Sequence, residues 1–354
     1  MDVIDTLNYK PTVCIWDYDY LLYAACFAGE KRTIEVVHSP TGRVKEFKTR
    51  TEFYGRDKNK TGGWLGKVNQ DRLQKGLNPF LLDEFEISDV QTPEPVENVL
   101  HTAKLMIQNV LDTVGCDQYF GYTSSRGGKP LFRLTESTLW EYKGNRKDML
   151  SPIHKGALQE YLIKHHNAIM VKDDLEADDW VVIKYLELKE RGEKPIIIAI
   201  DKDIAGCPVI SFNPNKPEDG YTNGDCFGEL YINEKNEVKG YGRKWLYYQT
   251  ISSDAVDNYK ANCFSEKKWG HKSAYNALVD CKTDKECFRE IMASFKLLYP
   301  SPKEIVGWRG DKITIDWLYV ANEMWNMARM RRTKKDIVTF SDVLKKHNLL
   351  KEKE

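Results

Sequence analysis

Five carboxylates fall within seven residues in the stretch Asp173-Asp174-Leu175-Glu176-Ala177-Asp178-Asp179-Trp180. Acids in such density, with no histidine or thiol among them, match the oxygen-only coordination of hard cations such as Mg²⁺ or Mn²⁺. A local reading competes: acids favour a helix N-terminus, where they accept from free amides and complement the dipole. That accounts for one or two of them. Five crowd their like charges unless a cation shares them. Glu176 and Asp179 lie three apart and would share a helix face, with Asp178 beside them.

Further acids come in pairs: Asp17 with Asp19, Asp201 with Asp203, and Asp254 with Asp257. Two ions about 4 Å apart can activate water and steady the leaving oxygen of a phosphodiester. That reaction also needs fixed cations for the phosphate. The string Trp140-Glu141-Tyr142-Lys143-Gly144-Asn145-Arg146-Lys147 offers them. Lys143 and Arg146 could clamp a phosphate and Tyr142 could stack on a terminal base, although an ordinary polar helix start would look similar.

The elements that must position these residues read as follows. Thr12–Trp16 is a short buried strand that delivers Asp17 at its end, and an apolar helical pattern follows. Ala168–Val171 is a strand leading into the acidic knot, where a helix starts. Ile196–Ile200 is the clearest buried strand and runs straight into Asp201-Lys202-Asp203. Tyr119–Tyr122 and Val209–Phe212 read as two more strands, and helices are expected over 96–111 and 153–163. This alternation implies an α/β fold, a mostly parallel sheet flanked by helices. In such sheets ligands gather beyond the carboxyl ends of the strands, where Asp17, Asp201 and Asp203 fall.

The remaining segments carry less chemistry. Residues 31–50 alternate as a hairpin, and 54–79 read as a mobile basic loop or arch with Trp64 and Leu65 as isolated apolar anchors. Ser124-Ser125-Arg126-Gly127-Gly128-Lys129-Pro130 is a donor-rich turn. Residues 214–242 suggest a hairpin insertion, and the stripe Trp317, Val320, Ala321, Met324, Trp325, Ala328 suggests core packing. The expected division is an α/β core over 1–242, with a basic insertion at about 43–95, and a helical region over 243–354.

Composition excludes several classes. The 354 residues are 41% hydrophobic and 30% charged, which indicates a soluble globular chain. No apolar run reaches the ~20 residues of a membrane helix, and no signal-peptide pattern opens the chain. The eight cysteines form no CxxC pair and point to reduced thiols in a cytoplasmic protein. His165-His166 shows no ligand spacing. Net charge is zero, yet residues 43–75 hold ten Lys or Arg against four acids, and a second basic cluster spans Arg329–Lys335. Basic patches beside an acidic knot suit a protein that grips phosphates while holding divalent cations, although a solvated surface gives similar runs.

Five strings then appear in order: Asp17 after a strand, Tyr142-Lys143-Gly144-Asn145-Arg146, Glu176-Ala177-Asp178-Asp179, Asp201-Lys202-Asp203, and Asp254-Ala255-Val256-Asp257-Asn258. Over roughly residues 12–280 their order and spacing resemble the phage and bacterial 5′-nuclease family, the flap endonucleases and 5′→3′ exonucleases of the PIN-like fold. With Tyr247–Ile251 added, the replication exonucleases of tailed phages look most similar. The resemblance implies a two-metal (Mg²⁺ or Mn²⁺) 5′→3′ exonuclease with flap endonuclease activity, in phage DNA replication or recombination. Its partners would be DNA with 5′ ends, flaps or nicks, RNA–DNA hybrids, and replication proteins in the host cytoplasm.

The same resemblance implies that Asp17, Glu176, Asp178, Asp201 and Asp203 surround the metals, with Asp179, Asp254 and Asp257 completing the second ion's shell partly through water; Asp19, two residues after Asp17, joins the metal candidates. Lys143 and Arg146 would activate the phosphate, with Tyr142 beside them. Lys58, Lys60 and Lys67 of the basic region would contact nucleic acid at a threading gateway. A helix–turn–helix over about 251–279, with Gly270, His271, Lys272 and Ser273 opening its second helix, would hold duplex backbone through K⁺.

This chain departs from that pattern in several places. Gly121–Ser125 offers no aspartate where the family's strand usually delivers one. Ser253 stands in place of a glycine, Asn262–Lys268 replaces a compact glycine turn, and the basic insertion precedes the Lys143 string instead of following it. Two other classes therefore stay open: a DNA-binding accessory with impaired catalysis, and an aspartyl-nucleophile phosphatase suggested by Asp17-Tyr18-Asp19. The phosphatase is disfavoured by Leu21, where that chemistry normally wants Thr or Val.

Overall fold

The computed structural model describes residues 8–125, 129–147 and 149–350. Arg126, Gly127 and Gly128 of the donor-rich turn lie outside the described residues. The chain begins β1 (Val13–Asp17), α1 (Tyr18–Ala28), β2 (Glu30–His38), β3 (Arg43–Phe47), α2 (Arg50–Tyr54), α3 (Gly63–Gln74) and β4 (Phe85–Pro93). It continues α4 (Val96–Val114), β5 (Tyr119–Ser124), α5 (Phe132–Glu136), α6 (Lys155–His165), β6 (Ala168–Val171), α7 (Ala177–Glu190), β7 (Pro195–Ile198), β8 (Ile210–Phe212) and β9 (Tyr221–Asn223). Then come β10 (Glu229–Ile232), β11 (Val238–Tyr241), α8 (Gly242–Ile251), β12 (Ser253–Asp254), β13 (Tyr259–Lys260), α9 (His271–Leu278), α10 (Asp284–Leu298), β14 (Lys303–Val306), β15 (Lys312–Ile315), α11 (Trp317–Ala328) and α12 (Phe340–Lys346).

Two compact units emerge, and they do not coincide with the expected boundary at 242. One comprises residues 1–21, 106–150 and 159–354; the other comprises 22–105 and 151–158. In the larger unit six strands form a sheet in the order β6-β5-β1-β7-β8-β9, parallel throughout except for the edge pair β8–β9. The central strands are apolar along their length: Val13, Cys14, Ile15, Trp16, Ile196, Ile197 and Ile198 are all buried, as a sheet covered on both faces requires. Helix α7 packs on β1, β5 and β7 through Val181, Val182 and Tyr185. Gly121 in β5 is required sterically, since a Cβ there would lie 2.4 Å from the Trp16 carbonyl oxygen.

Register decides where the chemistry can sit. Asp17 pairs with Tyr122, Ser124 with Val171, and Trp16 with Ile198, so the C-terminal ends of β1, β5, β6 and β7 align along one sheet edge. The helical part of this unit has its own core of Trp245, Tyr247, Ile251, Phe288, Ile291, Phe295, Val320, Met324, Trp325 and Phe340. The α11 stripe is therefore core packing, and β10–β11 is the expected hairpin.

The smaller unit corrects the expectation of a mobile basic loop. It holds a three-stranded antiparallel sheet, β3-β2-β4, on which α2 and α3 pack. The hairpin register runs from Ile34↔Phe47 to His38↔Arg43. Ile34, Val36, Phe47, Phe53 and Leu65 form its buried centre, with Trp64 against them. Two apparently isolated anchors, Trp64 and Leu65, are successive positions near the start of α3, one turn of which suffices to close a small core.

Candidate metal and phosphate site

Each acidic side chain is delivered by a strand end or a helix start of the larger unit. Asp17 ends β1, and its Oδ1 accepts the Asp19 amide at 3.1 Å. Asp19 is held in turn from β5: its Oδ1 accepts from Thr123 Oγ1 at 2.9 Å and from the Ser124 amide at 3.0 Å. Where the family pattern would supply a further aspartate, β5 therefore supplies two donors to Asp19. Glu176 is the N-cap of α7, and Asp178 and Asp179 occupy its first turn. Asp201 caps the 3₁₀ turn Lys202–Gly206 by accepting the Asp203 amide at 2.8 Å. Asp203 in turn accepts from Gln249 Nε2 of α8.

Asp17 acts electrostatically with Asp19 and Asp201, Asp178 with Glu176 and Asp179, and Lys143 acts on both groups. Burial first, then Asp19 and Asp201, push the Asp17 carboxyl up to about 8, while Lys143 pulls it down. Asp178 is held far above the usual carboxylate range by burial and by Glu176 and Asp179. Asp203 is raised likewise by burial and by Asp201, with Asp257 and Asp254 adding to it. In all three acids burial is the main cause of the raised ionisation and neighbouring carboxylates add to it.

Elsewhere in the site the balance is local. Burial would raise Glu176, but Lys143 and Arg133 outweigh it and hold the carboxyl near 2. Its Oε2 accepts from Arg133 at 2.7 Å and from the Tyr142 hydroxyl at 2.9 Å, and its Oε1 accepts from Lys143 Nζ. Asp257 accepts from Arg146 Nη2 at 2.8 Å and from Tyr142 at 3.2 Å. Asp254 is bonded to Lys202 at 2.5 Å and accepts the Val256 amide at 2.7 Å. Burial works against its ionisation, yet the Lys202 bond leaves it below the ordinary range.

Asp179 differs from its neighbours. It is fully buried, and four donors take its two oxygens: Arg133 Nη1 at 2.8 Å, Arg133 Nη2 at 2.9 Å, the Arg331 amide at 2.9 Å and the Glu176 amide at 3.2 Å. A carboxylate offers about four lone-pair positions. Although Glu176, Asp178 and Asp179 have oxygens within 4.8 Å of one another, Asp179 has no position left for a cation. It holds the start of α7 in place instead.

Tyr142 departs from the expected base-stacking role. It is 5% exposed, and its hydroxyl bridges Glu176 and Asp257. The cations beside it remain accessible: the Lys143 side chain is 25% exposed and that of Arg146 is 39% exposed. Lys143 has φ 55, a left-handed backbone that is costly for lysine, and its amide bonds the Asp257 carbonyl at 3.0 Å. The C-terminal basic cluster is also revised. Arg329 and Arg331 are buried, Arg329 pairs with Asp336 at 2.7 Å, and Lys334 and Lys335 are exposed.

Helix α9 starts at His271 after the N-cap Gly270, where the second helix of a helix–turn–helix was expected. Residues 252–270 hold the short pair β12–β13 and turns, because Asp254 bonds the amides two and three residues on. Lys58, Lys60 and Lys67 are exposed in the smaller unit, with Lys60 Nζ 5.2 Å from the centre of the Tyr54 ring. Sequence reasoning missed Arg133, which is 2% exposed and central to the site. It lies in no acidic or basic run, so only its three-dimensional partners reveal it.

The donor set fits hard divalent cations. Asp17, Asp178, Asp201 and Asp203 keep oxygen capacity that protein donors do not fill, while the nearby Cys207 thiol bonds the Asp203 carbonyl at 3.6 Å and burial pushes its ionisation up, out of a ligand role. All eight cysteines are unpaired, and no described helix is long and apolar enough to cross a membrane.

No protein-family model matches the chain, and neither does any curated protein. Among solved structures, a phage T5 protein co-crystallised with metal ions is 15% identical, with 65% of this chain and 79% of that chain covered and a TM-score of 0.39. A mutant of T5 5′-exonuclease gives 15% identity, 66% and 78% coverage and a TM-score of 0.36. A bacteriophage T5 flap endonuclease in a pseudo-enzyme-product complex with DNA and metal ions gives 15%, 66%, 90% and 0.33. What these comparisons give the chain is therefore a likeness to T5 5′-exonuclease and flap endonuclease structures across about two thirds of its length.

Proposed function

We propose that this chain is a divalent-metal-dependent nuclease that enters DNA at 5′ ends or flaps and cleaves from 5′ to 3′, taking RNA primers as well. The observation that carries this reading is the electrostatic linkage of Asp17 with Asp201, of Asp201 with Asp203 and of Asp178 with Glu176, with Lys143 acting on Asp17, Glu176 and Asp178. Asp17, Asp178, Asp201 and Asp203 would hold Mg²⁺ or Mn²⁺, with Glu176 bordering them. Such ions, when bound, supply Lewis-acid polarisation of the phosphate and an activated water.

The chain's own residues do the rest. Lys143 and Arg146 exchange their Glu176 and Asp257 partners for phosphate oxygens and stabilise the charge that develops in the transition state. Tyr142 spaces Glu176 from Asp257, and Arg133 with Asp179 anchors the start of α7 so that Asp178 faces the cluster. Asp254 and Asp257 orient the cations Lys202 and Arg146. Lys58, Lys60 and Lys67 would grip the backbone of the strand. The first turn of α9 would contact duplex phosphates, and K⁺ there has less support, given the turns at 252–270.

One observation favours a second reading. Thr123 and Ser124 stand where the family pattern would supply another acid, so a DNA-binding accessory with impaired catalysis fits as well. Incubation with a 5′-labelled flap separates the two. The nuclease reading expects short 5′ products in Mg²⁺ and none in EDTA. Binding without cleavage in Mg²⁺ and Mn²⁺ would favour the accessory.

A further inference from the structure

Helix α8 is buried almost all round, yet one of its core positions holds an amide. Gln249 is 3% exposed, where a leucine or methionine would fill the space without taking a polar group out of water. Its Nε2 donates to Asp203 Oδ1, and its Oε1 is buried with no partner among the described residues. A buried acceptor left unsatisfied costs stability, so packing alone does not account for a glutamine here.

The turn Lys202–Gly206 accounts for it. Helix α8 grips that turn through two side chains four residues apart, which share one helix face. Trp245 Nε1 donates to the Lys202 carbonyl at 2.9 Å, and Gln249 bonds the carboxylate of the next residue. The two grips differ in kind: Trp245 fixes backbone, whereas Gln249 fixes the carboxylate itself. Close approach makes both possible. A Cβ at Gly206 would lie 3.2 Å from the Leu246 amide nitrogen and 3.3 Å from Gln249 Oε1, so the turn rests directly on the helix. The Asp203 amide is committed to Asp201 Oδ1 at 2.8 Å, which ties the two acids together. With Oδ1 taken by Gln249, Asp203 keeps Oδ2, which no donor among the described residues bonds.

We propose that Gln249 is a positioning residue, which turns Asp203 so that one oxygen, Oδ2, is offered to a divalent cation. The role rests on the nuclease reading for its cation, and on this chain's own contacts for its geometry. Gln249 touches neither substrate nor reacting atoms; it acts through Asp203 alone. Carboxylates that bind metals are commonly held by such a donor, and loss of the donor weakens metal affinity by about 10–100-fold.

The test is titration of the full chain with Mn²⁺, followed by paramagnetic resonance, with Gln249→Met and Trp245→Phe beside the unaltered protein. Methionine keeps the length of glutamine and removes both its donor and its unpaired acceptor. Gln249→Met should bind one of the two expected ions about 10–100-fold more weakly. In EDTA it should melt no lower than the unaltered chain, because the unsatisfied oxygen is gone. Trp245→Phe loses the backbone grip on the same turn, and should melt lower yet bind Mn²⁺ more tightly than Gln249→Met. Equal affinity in Gln249→Met and the unaltered chain, or equal weakening in both variants, would overturn the proposal while leaving the ions in place. No Mn²⁺ bound by the unaltered chain would instead remove the cation itself, and the proposal with it.

Discussion

At the scale of the residue, the site is a contest between like charges and a few built-in cations. Arg133 is the deepest of those cations, bonded to Asp179 through both terminal nitrogens. Arg133→Met would leave the buried Asp179 charge without its partner and should cost about 3–5 kcal/mol by chemical denaturation. Arg133→Lys should recover part of that loss. Asp178→Asn acts oppositely, since it removes a charge that the fold resists. In EDTA its melting temperature should rise by roughly 2–4 °C per kcal/mol relieved, while cleavage in Mg²⁺ disappears. A variant that melts lower and still cuts would remove Asp178 from the ligand set. Lys143→Ala should slow single-turnover cleavage by about two to three orders of magnitude, as loss of a transition-state donor does; a change confined to KM would make Lys143 a substrate anchor.

The pH dependence follows from the same groups. Asp17 is raised from 3.8 to about 8, so the folded chain binds that proton more tightly than the unfolded one. Without metal, its contribution to stability is therefore largest below pH 4 and is lost as pH climbs towards 8. Glu176, held at about 2, contributes stability above pH 4.5 that is lost as pH falls towards 2. A cation must displace the Asp17 proton, so Mn²⁺ affinity should strengthen between pH 6 and 8, with proton release visible as buffer-dependent heats. Heats independent of the buffer would mean that Asp17 is not a ligand.

At the scale of the element, the sequence carried most of what positions the acids. Apolar runs ending in Asp17 and in Asp201 reveal parallel strands and their functional ends, because a strand buried on both faces cannot alternate. The start of α7 was legible from its clustered acids, and α11 from apolar residues at helical spacing. What stayed hidden depended on partners distant in sequence. Asp179 reads like its neighbours until Arg133 and Arg331 are seen around it, and Tyr142 reads as a stacking residue until its hydroxyl is found between two acids. The stretch 54–79 read as a loop because glycines and lysines mask the two apolar positions that seat α3. Phe53 is fully buried in that small core. Phe53→Ala should cost about 3–5 kcal/mol, read as faster amide exchange confined to residues 30–93. Uniform loss of protection across the chain would deny the smaller unit its own core.

At the scale of the whole molecule, a net charge of zero conceals local clusters of opposite sign. The acids of the candidate site belong to one unit, and the 43–75 basic excess belongs to the other. If Lys58, Lys60 and Lys67 contact backbone phosphates, replacing all three by alanine should flatten the salt dependence of single-strand binding by about two units, at ~0.7 per phosphate; an unaltered slope would return them to ordinary surface. Everything else rests on whether the acids are a cation cage. Counting bound Mn²⁺ per chain by paramagnetic resonance addresses that most directly, comparing the unaltered chain with Asp201→Ala. The account predicts two ions in the first and fewer in the second. No Mn²⁺ bound above background, or an equal count in both, would contradict it.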